Sequence, residues 1–316
     1  MFSVVISYYK KIKYIERCLD SVMNQSFQNF EVILVDDGSN DNVKELLDQK
    51  YPKVKLITKK NEGVSIARNT GIAAASFDYI ALLDADDDWH FQYLEFMNAV
   101  IREHPDAKII GTHYSVNRDD IPKGSTTLRY RKLEHYFKIA IVNTLFTSSS
   151  SVIRKSFFES NQGFNPALRS GQDVDVWFRT VLSGGGVYFI DNTLMFYCQE
   201  DTQGVTKLKL NQTIELKDIF LGNIPKNYYP LYDTIDNEEF KVFISKYIYF
   251  NLYRYYYSER FHDLAVEILK SKKHSYFLLD LVYKIPLFVG YKLIRKPKFS
   301  LLLRNYMKFV FRRILK

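Results

Sequence analysis

The chain has 316 residues, is 47% hydrophobic and 25% charged, and contains 13 glycines and 8 prolines, which excludes wholesale disorder and collagen-like or low-complexity architectures. Two cysteines, Cys18 and Cys198, exclude a disulfide framework and are expected as core thiols. The formal charge of +8 is local: residues 281–316 hold ten of the 44 basic residues and no Asp or Glu.

The first 110 residues alternate short apolar runs with amphipathic segments. Strands are expected at Phe2–Ser7, Phe30–Val35, Val54–Thr58, Tyr79–Leu83 and Lys108–Thr112. Helices are expected at Ile12–Asn24, Val43–Gln49, Ser65–Ala75 and Phe91–His104. Such alternation predicts a doubly wound α/β sheet whose ligands bind beyond the strand carboxyl ends. Two acidic clusters fall at those ends: Asp36-Asp37 and Asp84/Asp86/Asp87/Asp88. Four clustered carboxylates repel one another unless a cation or bound partner compensates. Asp84 and Asp86, two apart on a turn, suit a divalent ion that bridges to a diphosphate. A carboxylate in the Asp36-Asp37 turn suits either an N-cap or the imide N–H of a base such as uracil.

From 113 to 150 the pattern is irregular and polar. A strand is expected near Ser150–Ile153, a helix over Asp173–Ser183 and a strand over Val187–Ile190. Asp173 stands in the first turn of its helix, either as a favourable dipole charge or as a general base facing a pocket. Beyond about residue 205 the chain reads as helical, with a tyrosine- and phenylalanine-rich stretch at 241–257 and helical spacing at 261–270. Near the end, Arg304, Lys308, Arg312 and Lys316 recur every four residues among Leu301, Leu302, Leu303, Met307, Phe309, Val310, Phe311, Ile314 and Leu315. One helix would carry these cations as a stripe, a pattern suited to an anionic membrane surface or to a core-packing helix with a solvated face. No nucleic-acid module accompanies the charge. No basic leader precedes the apolar start, and no run reaches the ~18 apolar residues of a membrane span, so a cytoplasmic, peripherally membrane-associated protein is expected.

Five motifs in order resemble glycosyltransferase family 2. They are Val4-Val-Ile-Ser7-Tyr8-Tyr9, Val35-Asp-Asp-Gly-Ser39, Asn61-Glu-Gly63 with Ala67-Arg68-Asn69-Thr-Gly71, Leu83-Asp84-Ala85-Asp86-Asp87-Asp88-Trp89, and Gln172-Asp173-Val-Asp175-Val-Trp177-Phe-Arg179. The resemblance implies a GT-A fold: a mostly parallel, twisted, Rossmann-like sheet flanked by helices, followed by a helical C-terminal region. It divides the chain into a nucleotide-sugar half (1–112), an acceptor and catalytic half (113–205) and a helical, basic amphipathic region (206–316). It also implies site roles. Ser7, Tyr9, Asp36, Asp37, Arg68, Asp84, Ala85 and Asp86 would form the nucleotide and donor site. Asp86 would ligate Mn²⁺ or Mg²⁺. Asp173 would be the catalytic base. Gln172, Trp177 and Arg179 would support the acceptor side.

The reaction implied is inverting transfer from a nucleotide-sugar, with UDP expected, to a hydroxyl of a lipid-linked or surface-glycan acceptor. A non-catalytic scaffold that kept the fold, or a nucleotidyltransferase, is the alternative. Against the latter, Ser7-Tyr-Tyr-Lys-Lys11 has no glycine-rich phosphate loop. Three departures stand out: Lys10 where the family often has Asn, Gln172 where it has Glu, and no His in 196–201, where Glu200 or Asp201 would have to substitute.

Overall fold

The computed structural model describes residues 1–140, 145–166, 168, 171–200, 236–259, 261–270 and 276–314. Two compact units result, one of residues 1–134 and 145–208, the other of 135–144 and 209–316.

The first unit opens with the expected alternation: β1 (Phe2–Tyr8), α1 (Ile12–Met23), β2 (Phe30–Asp36), α2 (Val43–Lys50), β3 (Lys55–Thr58), α3 (Val64–Ala73) and β4 (Tyr79–Asp84). It continues with β5 (Asp88–Trp89), α4 (Tyr93–Glu103), β6 (Ala107–Ser115) and β7 (Tyr130–Lys132). After α5 (Tyr136–Ala140), which belongs to the second unit, come β8 (Ser151–Arg154), α6 (Lys155–Ser160), α7 (Gln172–Leu182) and β9 (Gly186–Phe196). All nine strands form one sheet of order β3-β2-β1-β4-β8-β6-β9-β5, with β7 paired to β9.

The block β3-β2-β1-β4 is parallel throughout. The expectation of a mostly parallel sheet holds for this block and for the β6–β9 pair, which is also parallel, while the rest of the sheet is mixed. Here β8 inserts antiparallel between β4 and β6, and β5 and β7 both run antiparallel to β9. Strand β8 is entered directly from a polar turn of three serines, Ser148–Ser150. The 112/113 division falls within β6.

Central β1 is buried on both faces, as a strand covered by helices on each side is, with Phe2, Val4, Ile6 and Tyr8 on one face and Ser3, Val5 and Ser7 on the other. Val4, Ile6 and Tyr8 join Ile15, Cys18, Leu19 and Val22 of α1 in one buried cluster. On the other face α3 lies so close that a Cβ on Gly71 would meet Val5 Cγ1 at 2.3 Å and Val35 Cγ2 at 3.2 Å. Parallel pairing then sets the edge of the sheet. Tyr8 lies opposite Asp36 and Ser7 opposite Asp84, so residues far apart in sequence reach one rim.

In the second unit, α8 (Glu238–Tyr256) is followed by α9 (His262–Lys270), α10 (Phe277–Tyr283), α11 (Leu287–Ile294) and α12 (Pro297–Phe309). Helix α8 carries aromatic residues around much of its circumference, which suits a helix surrounded by others. Phe137 of α5 packs against Phe240 and Phe243, at 5.0 and 5.2 Å between ring centroids. Buried tyrosines hand their hydroxyls to main-chain carbonyls: Tyr283 to Tyr249, Tyr257 to Val282, and Tyr306 to Leu278. Rings are thereby buried without leaving the hydroxyl unsatisfied. After α12 the helix widens into a π turn at Val310–Ile314, which shifts the helical phase within the slowly drifting stripe expected from Arg304 to Lys316. Leu315, Lys316 and Asp201 lie outside the described residues, as does all of 206–235.

The valines beneath Gly71 are β-branched and stiff, so they cannot swing away from an added methyl. Gly71→Ala should therefore lower the unfolding free energy by about 1–3 kcal/mol despite alanine's better helix propensity, read from urea melts. A midpoint that is unchanged or raised contradicts this packing.

Candidate active site

The rim is built from three loops tied to one another. After β1 the chain turns at Lys10, which has a φ of 52°. A left-handed Lys costs of the order of 1 kcal/mol, and the family's Asn tolerates that conformation better. The Lys10 amide donates to Ser39 Oγ at 2.9 Å, joining this loop to the one after β2. There Asp36 Oδ1 accepts from the Ser39 amide at 2.9 Å. Asp37 clamps the third loop: its Oδ1 accepts from Lys59 Nζ at 2.8 Å and the Glu62 amide at 3.0 Å, and its Oδ2 from the Gly63 amide at 2.8 Å. Gly38 is required between them, with φ of 78° and only 2.8 Å from its Cβ direction to the Asn61 nitrogen. Both Asp36 and Asp37 are buried, and both hold main chain. Tyr9 is exposed, with Lys10 Nζ over its ring.

At the end of β4 each carboxylate has its own partner. Asp84 Oδ1 accepts from Arg68 Nη2 at 2.7 Å and from Ser7 Oγ at 3.2 Å. Asp86 pairs with Lys11 Nζ at 2.6 Å. Asp87, almost fully buried, accepts from Ser149 Oγ at 2.6 Å and from the Cys198 amide at 2.9 Å. Asp88 pairs with Arg17 at 2.8 Å and with both terminal nitrogens of Arg118, at 3.2 and 2.7 Å. Burial raises the pKa of Asp86, and the Lys11 ammonium opposes that rise. Burial first, then repulsion from Asp84 and Asp86, raises that of Asp87 well above the usual carboxylate range. Ala85 is buried in the core cluster. Trp89 stacks on Tyr93 at 4.1 Å and donates to the Ser149 carbonyl, so it anchors this turn.

Opposite stands the start of α7. Gly171 takes a left-handed φ of 71° and launches the helix. Asp173 Oδ1 accepts from the Val174 amide at 2.9 Å. Burial pushes its pKa up, the Arg68 charge pulls it down, and the Asp84 charge adds to the rise. Arg68 thus sits in the field of both carboxylates, and its guanidinium lies over the Phe164 ring at 5.2 Å. Gln172 has a buried Oε1 with no hydrogen-bond partner among the described residues. Trp177 is buried against Phe146 and faces the core rather than the rim. Arg179 pairs with Asp175 at 2.7 Å and donates to the carbonyls of Gln162 and Gly163, holding the loop ahead of α7. Glu200 is exposed, in the electrostatic neighbourhood of Arg17.

The sequence reading missed Lys11, Arg17, Ser149, Arg118 and Asn69. Asn69 grips Phe164 twice, accepting from its amide and donating to its carbonyl, both at 2.7 Å. Its place in the Ala67–Gly71 motif was the available signal. Ser149, inside a polar serine run, offered none.

No group of three or more His, Cys, Asp or Glu is arranged to hold a metal ion among the described residues. The donor set instead suits a hard divalent ion bound by one carboxylate, Asp86, with the rest of its shell from a diphosphate and water, the usual mode for Mg²⁺.

Residues 3–161 match the family described as Glycosyl transferase family 2. The chain belongs to that family. It is 32% identical over 190 residues to an uncharacterized glycosyltransferase of Rickettsia bellii, covering 58% of this chain and 27% of that protein. It is 27% identical over 184 residues to a chondroitin synthase of Pasteurella multocida, covering 57% of this chain and 18% of the synthase. The chain therefore spans about a quarter or less of the length of these two relatives. Its fold is similar to that of S. aureus TarS 1–349 in complex with UDP, with a TM-score of 0.59 and 17% identity over 98% of this chain and 90% of that one. It is also similar to the mannosyltransferase PcManGT of Pyrobaculum calidifontis in complex with GDP-Man and Mn²⁺, with a TM-score of 0.60 and 14% identity over 97% and 84% of the two chains. The GT-A expectation for the fold is met, and family membership sets the nucleotidyltransferase alternative aside.

Proposed function

We propose that this chain is an inverting, metal-assisted glycosyltransferase. It would move a sugar from a nucleotide-sugar, UDP-linked by preference, to a hydroxyl of a lipid-linked or surface-glycan acceptor such as a capsule or lipopolysaccharide chain. One observation carries the reading: Arg68 is paired with the donor-side carboxylate Asp84 at 2.7 Å, and its charge also reaches the base candidate, Asp173. The relatives add support, since TarS was solved with UDP and PcManGT with GDP-Man and Mn²⁺.

In this reading Ser7, Tyr9, Asp36, Asp37 and Ala85 shape the nucleoside end of the rim, and Asp84 meets the ribose or sugar. Because Asp37 already holds the third loop, its part would be to fix that loop, which leaves Asp36 as the carboxylate for a base. A divalent ion held by Asp86 would supply electrostatic stabilisation of the departing diphosphate. Asp173 removes the proton from the acceptor hydroxyl. That oxygen attacks the anomeric carbon from the face opposite the phosphate, the bond from that carbon to the phosphate oxygen breaks, and the configuration inverts. A base held above the ordinary carboxylate range is better matched to a hydroxyl proton than an exposed Asp. Gln172 Oε1, an unsatisfied buried acceptor, suits a hydrogen bond from another acceptor hydroxyl.

The second unit supports attachment to an anionic lipid surface, and with it a cytoplasmic enzyme at the inner leaflet. Phe288, Leu301, Leu302 and Phe309 are 70%, 57%, 64% and 56% exposed, beside the exposed cations Lys292, Arg295, Lys296, Lys298 and Arg304. No helix among the described residues is long and apolar enough to cross a membrane. Leu303 and Met307 are buried in this unit, so deleting the tail would damage the unit's own packing.

Two outcomes follow. Asp173→Asn should lower kcat by about 10²–10⁴-fold in a sugar-transfer assay with the product followed by mass spectrometry. The acid limb of kcat/KM in the wild type should lie above the ordinary Asp range near ~4, because the base works only when deprotonated. Loss of the neighbouring cation in Arg68→Met should move that limb to higher pH, and loss of repulsion in Asp84→Asn should move it lower. Equal limbs in all three contradict the assignment of Asp173. For the membrane, replacing Phe288, Leu301, Leu302 and Phe309 by serine should sharply reduce pelleting with anionic vesicles while the melting temperature is kept. Undiminished pelleting contradicts that surface.

A further inference from the structure

Among the four carboxylates after β4, Asp86 alone is partnered by a lysine. Asp84 and Asp88 are held by the planar forks of Arg68, Arg17 and Arg118, and Asp87 by a serine hydroxyl and a main-chain amide. Lys11 Nζ lies 2.6 Å from Asp86 Oδ2, and the two side chains are only 19% and 17% exposed. The contact is set by backbone: the left-handed turn at Lys10 ends β1 and starts α1 with Lys11 as its cap, directing that side chain along the rim. An ammonium on a flexible stem is a compact point charge, released more readily than a bidentate guanidinium. It also opposes, at one oxygen, the charge that a divalent ion would oppose.

We propose that Lys11 is a resident cation that occupies Asp86 in the ligand-free enzyme and must be displaced before a metal ion can bind there. This rests on the reading of Asp86 as the metal-holding carboxylate. A bare divalent ion meets a carboxylate that is already neutralised and must break a partly buried ion pair to reach it. A nucleoside diphosphate changes the balance, because its phosphate oxygens accept the displaced ammonium as well as the metal. Lys11 therefore makes metal binding depend on the nucleotide, so that the two ligands arrive as a complex and Asp86 does not trap metal alone. Removal of Lys11 leaves Asp86 buried without its counter-charge, and a metal ion then becomes the favoured partner.

The test is a titration of Mn²⁺, read by the loss of the free-ion EPR signal, on wild type, Lys11→Met, Lys11→Arg and Asp86→Asn, with and without UDP. The expected result is that Lys11→Met binds Mn²⁺ without nucleotide on the order of tenfold tighter than wild type. Lys11→Arg should stay as weak as wild type or weaker, and Asp86→Asn should bind none in either state. UDP should tighten binding strongly in wild type and little in Lys11→Met. If Lys11→Met does not fold, Lys11→Gln replaces it, with added Mn²⁺ expected to raise its melting temperature more than that of wild type. Equal affinities for wild type and Lys11→Met, with UDP-dependent binding intact, overturn the proposal and leave the metal reading standing. No binding to any variant with UDP present overturns the metal reading, and the proposal with it.

Discussion

Charge neutralisation at the end of β4 is the constraint on which the rest of the rim depends. Four aspartates stand within five residues, and repulsion alone would splay the turn. The fold answers with Arg68 from α3, Lys11 from the β1–α1 loop, Arg17 from α1 and Arg118 from the segment after β6. Asp87 is met differently, by a serine hydroxyl and a main-chain amide, and burial, then the charges of Asp84 and Asp86, raise its pKa against those two hydrogen bonds. The compensating groups come from α1 and its cap, from α3 and from the segment after β6, so the acidic run ties these parts of the unit together.

The same arrangement explains why the site is stiff where donor chemistry needs stiffness. Asp37 ties the loop ahead of α3, and that helix delivers Arg68 to Asp84. One residue on, Asn69 grips Phe164 in the segment before α7, the helix that bears Asp173. A two-residue stretch of α3 therefore ties both Asp84 and the segment before α7. Close packing of α3 on β1, made possible by Gly71, fixes the height at which Arg68 enters the rim. Positioning of this kind is worth several kcal/mol to a bimolecular transfer.

Much of the first unit was legible because its physics is local. Buried parallel strands read as continuous apolar runs, and α1 and α4 read by their spacing. The acidic clusters could be placed at strand ends before any contact was known. What stayed hidden depends on contacts between distant segments. Strand β8 was foreseen near Ser150–Ile153, but the part played by the serines of 148–151 was not: they show no periodicity, yet Ser150 and Ser151 are fully buried and Ser149 orders both Asp84 and Asp87. Strand β9 was foreseen only over 187–190, because its later residues mix Asp191, Asn192 and Thr193 into a pairing segment. Trp177 and Arg179 carried the motif's look of acceptor contacts, but one packs inward and the other holds a loop. Lys11 could be seen as a cation and not as the partner of one particular carboxylate. In the second unit the aromatic stretch could be read as helical, while the hydroxyl-to-carbonyl bonds that let its tyrosines be buried could not.

The account turns on one claim, that the rim around Ser7, Asp36, Asp84 and Asp86 is a nucleoside diphosphate site. The most direct measurement is the melting temperature of the intact protein with UDP, GDP, CDP or dTDP, each with and without Mn²⁺, on wild type and on Asp86→Ala. The account predicts a rise with UDP that needs Mn²⁺ and vanishes in the variant, since a ligand of the native state stabilises it by mass action. No rise with any of the four in a folded wild-type sample would contradict it.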